Sequence, residues 1–146
     1  MKHKKILFVC TGNTCRSPMA AAALRAELKR RRIAWFTVQS AGLAAEEGAP
    51  MNELAQKALS EARIAFAENF ASRRLTEKMI KEAYAVVCMT EEQRRRLAAF
   101  DNVVSMKTLA GRDIPDPYGQ GIDVYRETLR AIRLCLPRII EGLGLS

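Results

Sequence analysis

The chain has 146 residues, and 49% of them are hydrophobic, which suffices for one core without disulfide support. No apolar run approaches the roughly 18 residues of a membrane span, and the apolar stretch behind the basic N-terminus is too short for a secretory signal. The net charge of +8 permits a nucleic-acid partner. However, only 6% of residues are aromatic, which argues against stacking on bases. The basic runs at 30–32 and 94–96 are also typical of helix ends, where cations complement the helix dipole. We therefore expect a soluble cytoplasmic monomer, one domain over residues 1–146, that binds neither membrane nor nucleic acid.

The four cysteines lie at positions 10, 15, 88 and 135. Their irregular spacing and the adequate core argue against a disulfide scaffold and favour free thiols in a reducing compartment. The only histidine is His3, so the chain lacks the clustered histidine and cysteine ligands of a zinc site. We expect neither a metal ion nor a cofactor.

Strand and helix patterns alternate along the chain. Strands are predicted at residues 5–10, around 37–39 with an end at 40–42, at 84–89 and at 102–106. The first helix is predicted to run to about residue 32, with Ser17 as its N-cap and Pro18 as its first residue. Further helices are predicted from about 50 to 63, from about 75 with Thr76 or Ser72 as the cap, from the cap Thr90 onward, and from about 123 to 141. Pro137 predicts a kink or the loss of one turn in the last helix.

This order of elements predicts an α/β fold, a three-layer α/β/α domain with a four-stranded parallel sheet. Such sheets bind ligands where strands end and helices begin. The segment CTGNTCRS, residues 10–17, follows the first strand at such a point. A second loop, rich in Gly, Pro and Asp, spans residues 111–121.

The segment CTGNTCRS has the residues of a site for a doubly charged anion. Backbone N–H groups at a strand-to-helix junction bind anions, Gly12 permits a sharp turn, and Asn13 tolerates left-handed geometry. Those donors and the Ser17 hydroxyl would stabilise the thiolate form of Cys10. Arg16 adds a planar fork suited to two phosphate oxygens. Together these residues predict a nucleophilic cysteine beside a bound phosphoryl group.

VCTGNTCRSPMA resembles the active-site signature of the low-molecular-weight protein phosphatases, C-x5-R-[ST] near the N-terminus. The stretches SAG at 40–42, RRLT at 73–76, VVCMT at 86–90 and DPYG at 116–119 follow in the family's order. The resemblance covers nearly the whole chain. It implies the fold of that family and a hydrolase that removes phosphate from proteins and releases it as inorganic phosphate.

The resemblance also implies roles for individual residues. Cys10 would attack phosphorus and form a cysteinyl-phosphate. Asp116 would protonate the leaving group and then activate water; the residues alone leave Asp113 as its rival, and the Asp-Pro-aromatic pattern selects Asp116. The equatorial oxygens would be held by the loop that comprises Thr11, Gly12, Asn13, Thr14, Cys15, Arg16 and Ser17. Asn13, Ser17 and Ser40 would support this loop, and Tyr118 would line its rim.

Thr14 bears on the choice of substrate. Tyrosine-directed members of the family usually carry a branched aliphatic residue at this position, whereas the bacterial protein arginine phosphatases carry threonine. The resemblance therefore favours phosphoarginine, with phosphotyrosine as the alternative. Tyr118 suits either substrate, because an aromatic rim residue can contact both side chains.

Cys15 has two interpretations: a small apolar filler, or a partner for a reversible disulfide that protects Cys10. Two departures from the family, Ala83-Tyr84 and Thr90 through Gln93, are expected to lie away from the loop. An arsenate reductase would need C-x6-C ending at Cys88, but the first position is Lys81. A non-catalytic phosphate-binding module would lack Cys10, Arg16 or the acid, and all three are present.

Overall fold

The computed structural model describes residues 3–146. Its strands are β1 (Lys4–Cys10), β2 (Phe36–Gly42), β3 (Ala85–Cys88) and β4 (Val103–Ser105). Its helices are α1 (Arg16–Arg30), α2 (Glu53–Glu61), α3 (Glu77–Glu82), α4 (Glu91–Arg95), α5 (Met106–Ala110) and α6 (Ile122–Leu143). The four strands form one parallel sheet in the order β2-β1-β3-β4, as the alternation of elements predicts.

The central strand β1 is buried on both faces. Ile6 and Phe8 pack into the cluster that contains α1, α2 and α6, whereas Leu7 and Val9 pack into a smaller cluster with Ile80 of α3. Successive side chains of a strand point to opposite faces of the sheet, so helices cover both faces and the predicted three-layer α/β/α architecture is confirmed. No described helix is long and apolar enough to cross a membrane.

Helix α1 begins closer to the loop than the sequence predicts. Its first residue is Arg16, its N-cap is Cys15, and no side chain caps it. The prediction that Ser17 caps this helix is wrong, because the Ser17 hydroxyl lies against the Cys10 sulfur instead. Residues 20–23 of α1 are alanines that are almost wholly buried, and their small side chains let the helix lie close to the sheet.

The remaining boundaries agree with the predictions only in part. Helix α2 begins at Glu53 rather than near residue 50, and the Asn52 side chain caps it by accepting a hydrogen bond from Leu54 N. Of the two caps predicted for α3, Thr76 is the one that the structure confirms. The predicted strand at 102–106 is too long, because Ser105 caps the unpredicted helix α5. Helix α6 runs unbroken through Pro137 to Leu143, so no turn is lost there, and Leu136, Ile139 and Ile140 beside the proline are buried.

Candidate active site

Cys10 lies at the carboxyl end of β1, directly before the loop that enters α1. Its Sγ is 2.9 Å from Ser17 Oγ and accepts a hydrogen bond of 3.3 Å from the backbone N–H of Asn13. Although Cys10 is only 3% exposed, it lines an open cavity of about 360 Å³. The sulfur therefore combines polar neighbours that favour its anion with access from solvent.

Asn13 organises the loop from inside. It is fully buried, and its φ of 58° lies in the left-handed region, which asparagine tolerates better than most residues. Its Nδ2 donates to Ser17 Oγ and to Ser40 Oγ, both at 2.9 Å, and its Oδ1 accepts from Arg73 N at 2.9 Å. The turn is thus made at Asn13 rather than at Gly12, whose φ is not positive.

The segment behind the loop leaves no room for a side chain at Gly42. A Cβ there would lie 2.6 Å from the carbonyl oxygen of Thr11 and 3.0 Å from Asn13 Cβ. The next two residues donate backbone hydrogen bonds into the loop, Leu43 N to Cys10 O and Ala44 N to Thr11 O. The SAG stretch is the sequence signal for this close packing, which sequence analysis did not assign to Gly42.

The side chains of Arg16 and Asp116 lie close together, and both residues line the cavity. Arg16 is 6% exposed; one terminal nitrogen donates to Ile114 O at 3.0 Å, and the other lies 3.7 Å from Asp116 Oδ2. The Asp116 side chain is 53% exposed and accepts a hydrogen bond from Tyr118 N. Asp113, its rival in the sequence, instead accepts from Glu91 N at the start of α4. The carboxylate that faces the cavity is therefore that of Asp116.

The cavity is lined by the loop at the end of β1 and by residues from two other segments. The floor is made by residues 10–16, and the rim by Ala44, Glu46, Ala49, Asp116 and Tyr118. A slightly larger groove of about 410 Å³ lies between α2 and α6, but it contains no nucleophile, so chemistry rather than size identifies the site. Within residues 3–146, no cluster of three histidine, cysteine or acidic side chains could hold a metal ion.

Comparison with known proteins agrees with this geometry. Residues 5–144 match the family model described as low molecular weight phosphotyrosine protein phosphatase. The chain belongs to this family. It is a cysteine-dependent hydrolase of the protein phosphatases, and the resemblance on which the sequence prediction rested is confirmed.

Three relatives of this phosphatase illustrate the range of the family. The chain is 37% identical to a protein-arginine-phosphatase of Bacillus subtilis (94% of this chain, 95% of that protein). It is 30% identical to a low molecular weight protein-tyrosine-phosphatase of Acinetobacter johnsonii (93% and 95%). Its fold superposes with a TM-score of 0.86 on a YwlE arginine phosphatase mutant with a phosphorylated active-site serine (33% identity; 96% and 95% covered).

Cys15 belongs to the floor of the phosphatase site, but its sulfur packs against the core. It is 4% exposed, and its Sγ lies 3.4 Å from Tyr125 Oη and 3.6 Å from Thr14 Oγ1. Burial raises the pKa of the Cys15 thiol, and the hydrogen bonds with Tyr125 and Thr14 offset only part of this effect. All four cysteines are free, and the Cys10–Cys15 disulfide stays a prediction.

Thr14 joins the loop to the next helix. Its carbonyl accepts a hydrogen bond from Asn52 N at 3.0 Å, just before α2, and the residue lines the cavity. The Thr14 backbone is therefore held by a segment far along the chain, while its side chain is placed beside the substrate space.

Gln93 is a contact of the loop that sequence analysis missed. It is 3% exposed; its Nε2 donates to Thr11 Oγ1 at 3.2 Å, and its Oε1 accepts from Thr90 N at 3.1 Å. The expectation that residues 90–93 lie away from the loop is therefore wrong. The Thr-x-x-Gln spacing predicts a capping box, but only the tertiary fold brings the free amide group of Gln93 to Thr11.

Proposed function

We propose that this phosphatase hydrolyses phosphoarginine in proteins by way of a cysteinyl-phosphate on Cys10. The observation that carries the substrate class is Thr14: a threonine lines the cavity where an aliphatic side chain would suit a flat phenol. The similarity to a protein-arginine-phosphatase over 94% of the chain supports the same choice.

In the first step, the Cys10 sulfur attacks phosphorus, an S–P bond forms and the P–N bond to the guanidine breaks. The three equatorial oxygens are held by the backbone N–H groups of the loop and by the guanidinium of Arg16. Asp116 gives its proton to the departing nitrogen. The distance of 3.7 Å between Asp116 and Arg16, the residue that would hold the phosphoryl group, supports this role.

In the second step, water attacks the phosphorus of the intermediate, and the S–P bond breaks. The Asp116 carboxylate takes a proton from this water, and inorganic phosphate is released. Cys10 leaves as a thiolate, to which the Asn13 N–H and the Ser17 hydroxyl can donate hydrogen bonds.

Phosphotyrosine is the second candidate substrate, and Tyr118 is the observation that favours it. Its side chain is 71% exposed at the rim, where an aromatic ring can stack on a phenol. The relative of Acinetobacter johnsonii is named as a tyrosine phosphatase. Phosphoarginine ranks first because Thr14 lies within the phosphate loop, closer to the reacting atoms than the rim.

We further propose that the enzyme acts in the cytoplasm as a single-domain monomer on phosphorylated proteins. Four free, buried cysteines suit a reducing compartment.

The test compares two peptides that share one flanking sequence and carry phosphoarginine or phosphotyrosine. We expect the higher kcat/KM on the phosphoarginine peptide, and we expect Thr14→Ile to shift the ratio toward phosphotyrosine by about tenfold, the scale of one contact to the leaving group. A wild-type preference for phosphotyrosine would contradict the proposed substrate class.

A further inference from the structure

The rim of the cavity carries a glutamate that the two chemical steps do not use. Glu46 lines the cavity between Ala44 and Ala49 and is exposed to solvent. Within residues 3–146, its carboxylate has no hydrogen-bond or ion-pair partner. The neighbouring Glu47 is different: its carboxylate accepts a hydrogen bond of 2.7 Å from Arg74 N, and it does not line the cavity.

The segment that carries Glu46 is fastened to the phosphate loop. Before Glu46, the backbone N–H of Ala44 donates to Thr11 O; after it, Gly48 N donates to Ser72 O. Ser72 Oγ in turn donates to Asn13 O inside the loop. Because the segment is bonded to the loop's own supports on both sides, the backbone holds Glu46 at the mouth of the anion site.

An unpaired carboxylate at this position repels the ligand that the floor is built to hold. The floor offers amide groups and Arg16 to a phosphate dianion, while Glu46 adds a negative charge to the rim of the same cavity. Like charges in one cleft weaken binding. The repulsion is offset only when the substrate brings a positive charge next to its phosphate. A guanidinium does so, and a phenol ring does not.

Asp116 is the other carboxylate of the cavity, but it lies beside Arg16 and is occupied with proton transfer. Glu46 has neither task. We propose that Glu46 is a specificity-determining residue that attracts the cationic guanidinium of phosphoarginine and disfavours substrates with an uncharged leaving group. This proposal rests on the proposed function, since it concerns the substrate of the same site.

The experiment uses Glu46→Gln, with Glu47→Gln as the control that removes the same charge one residue along. For each protein, kcat/KM is measured on the phosphoarginine and phosphotyrosine peptides, and inorganic phosphate is titrated as a competitive inhibitor. For Glu46→Gln, we expect a loss of about three- to tenfold on phosphoarginine, no loss on phosphotyrosine, and phosphate binding that is about twofold tighter. Glu47→Gln should change none of these ratios.

The opposite signs separate this role from a structural one, because a distorted site would weaken all three ligands together. The effect should also shrink as salt is added, since the Glu46 carboxylate is exposed and its field is screened. Glu46→Lys should lower kcat/KM on phosphoarginine further and tighten phosphate binding further, again with no loss on phosphotyrosine.

Two outcomes overturn different claims. If the wild-type protein hydrolyses phosphoarginine and Glu46→Gln leaves the substrate ratio unchanged, or weakens phosphate binding, the role of Glu46 is refuted and the proposed function stands. If the wild-type protein is inactive on phosphoarginine but active on phosphotyrosine, the proposed substrate class itself is refuted, and the role of Glu46 falls with it.

Discussion

The two loops that meet at the cavity are built in opposite ways. Residues 10–17 are mostly buried and are held by side-chain hydrogen bonds to residues from β2 and from the segment before α3. The loop at 111–121 is mostly exposed; the Asp116 side chain is half in solvent, and Gly119 has a φ of 81° at the tip. The first loop thus holds its donors in place before substrate arrives, as anion stabilisation requires.

The loop at 111–121 needs exposure to solvent rather than burial. A general acid must meet substrate, release a proton and recover it from water, so its carboxylate needs access to solvent. The comparison predicts that substitutions which remove a hydrogen bond from the support of residues 10–17 lower both activity and stability. Substitutions at the exposed end of 111–121 should lower activity alone.

Cys10→Ser should have the largest effect, because a serine hydroxyl at this position is a far weaker nucleophile than a thiolate. We expect turnover of p-nitrophenyl phosphate to fall by at least about a thousandfold. Cys15→Ser is the matched control, since it makes the same change on the core side of the loop, and it should keep most of the activity. Comparable losses for the two variants would contradict the assignment of Cys10.

Asp116→Asn should come next, with a loss of about 10²–10³-fold in kcat, the usual contribution of a general acid. The loss should be smaller on p-nitrophenyl phosphate than on a substrate with a poorer leaving group, because p-nitrophenol needs less help from an acid. The melting temperature should barely change, since the side chain is 53% exposed.

Asp113→Asn is the control for this loop, because an asparagine oxygen can still accept the hydrogen bond from Glu91 N. The activity of Asp113→Asn should stay within about twofold of wild type, because the variant retains the oxygen that accepts this hydrogen bond. A larger loss at Asp113 than at Asp116 would reverse the choice between the two acids.

Substitutions of Asn13 test whether side-chain hydrogen bonds hold the buried loop of residues 10–17 in place. Asn13→Gly keeps the left-handed backbone available but removes the side-chain bonds to Ser17, Ser40 and Arg73. We expect a loss of about 2–3 kcal/mol in the free energy of unfolding, which denaturant titration would measure, together with a lower kcat. Asn13→Ala should be worse by about 1 kcal/mol, because alanine disfavours a positive φ. A free energy of unfolding equal to that of wild type for Asn13→Gly would contradict the claim that these bonds hold the loop.

Gln93→Glu should have the smallest effect of the four. A glutamate keeps the oxygen that accepts from Thr90 N but replaces the amide group that donates to Thr11. We expect inorganic phosphate to bind about three- to tenfold more weakly, because the donor is lost and a negative charge is added near the loop. Thr90→Val breaks the same capping box without changing the Thr11 contact, and it should leave phosphate affinity unchanged.

The fold and the phosphate loop of residues 10–17 could be predicted, because each is indicated by patterns of residues that are close together in the sequence. Alternating strand and helix patterns gave the parallel sheet, and residues 10–17 lie within one junction, so their chemistry could be recognised without knowing the rest of the fold. The same locality explains the assignment of Asp116 from a short pattern in a loop.

What sequence analysis missed depends on contacts between distant segments. Gln93 and Thr11 are 82 residues apart, and Gly42 matters only because the Thr11 carbonyl lies where its Cβ would be. Serine is a good helix cap, but the Ser17 hydroxyl contacts the Cys10 sulfur instead of capping α1. Helix α5 was missed because it is short and directly follows a strand residue that caps it.

The most direct test of the account is to identify the atom that carries the phosphoryl group during turnover. A substrate labelled with radioactive phosphorus is mixed with the wild-type protein, the reaction is quenched in acid within the first turnover, and the digested peptides are sequenced by mass spectrometry. We predict one phosphoryl group on the sulfur of Cys10, and none in Cys10→Ala. Rapid turnover with no label on Cys10 at any quench time would contradict covalent catalysis by this residue.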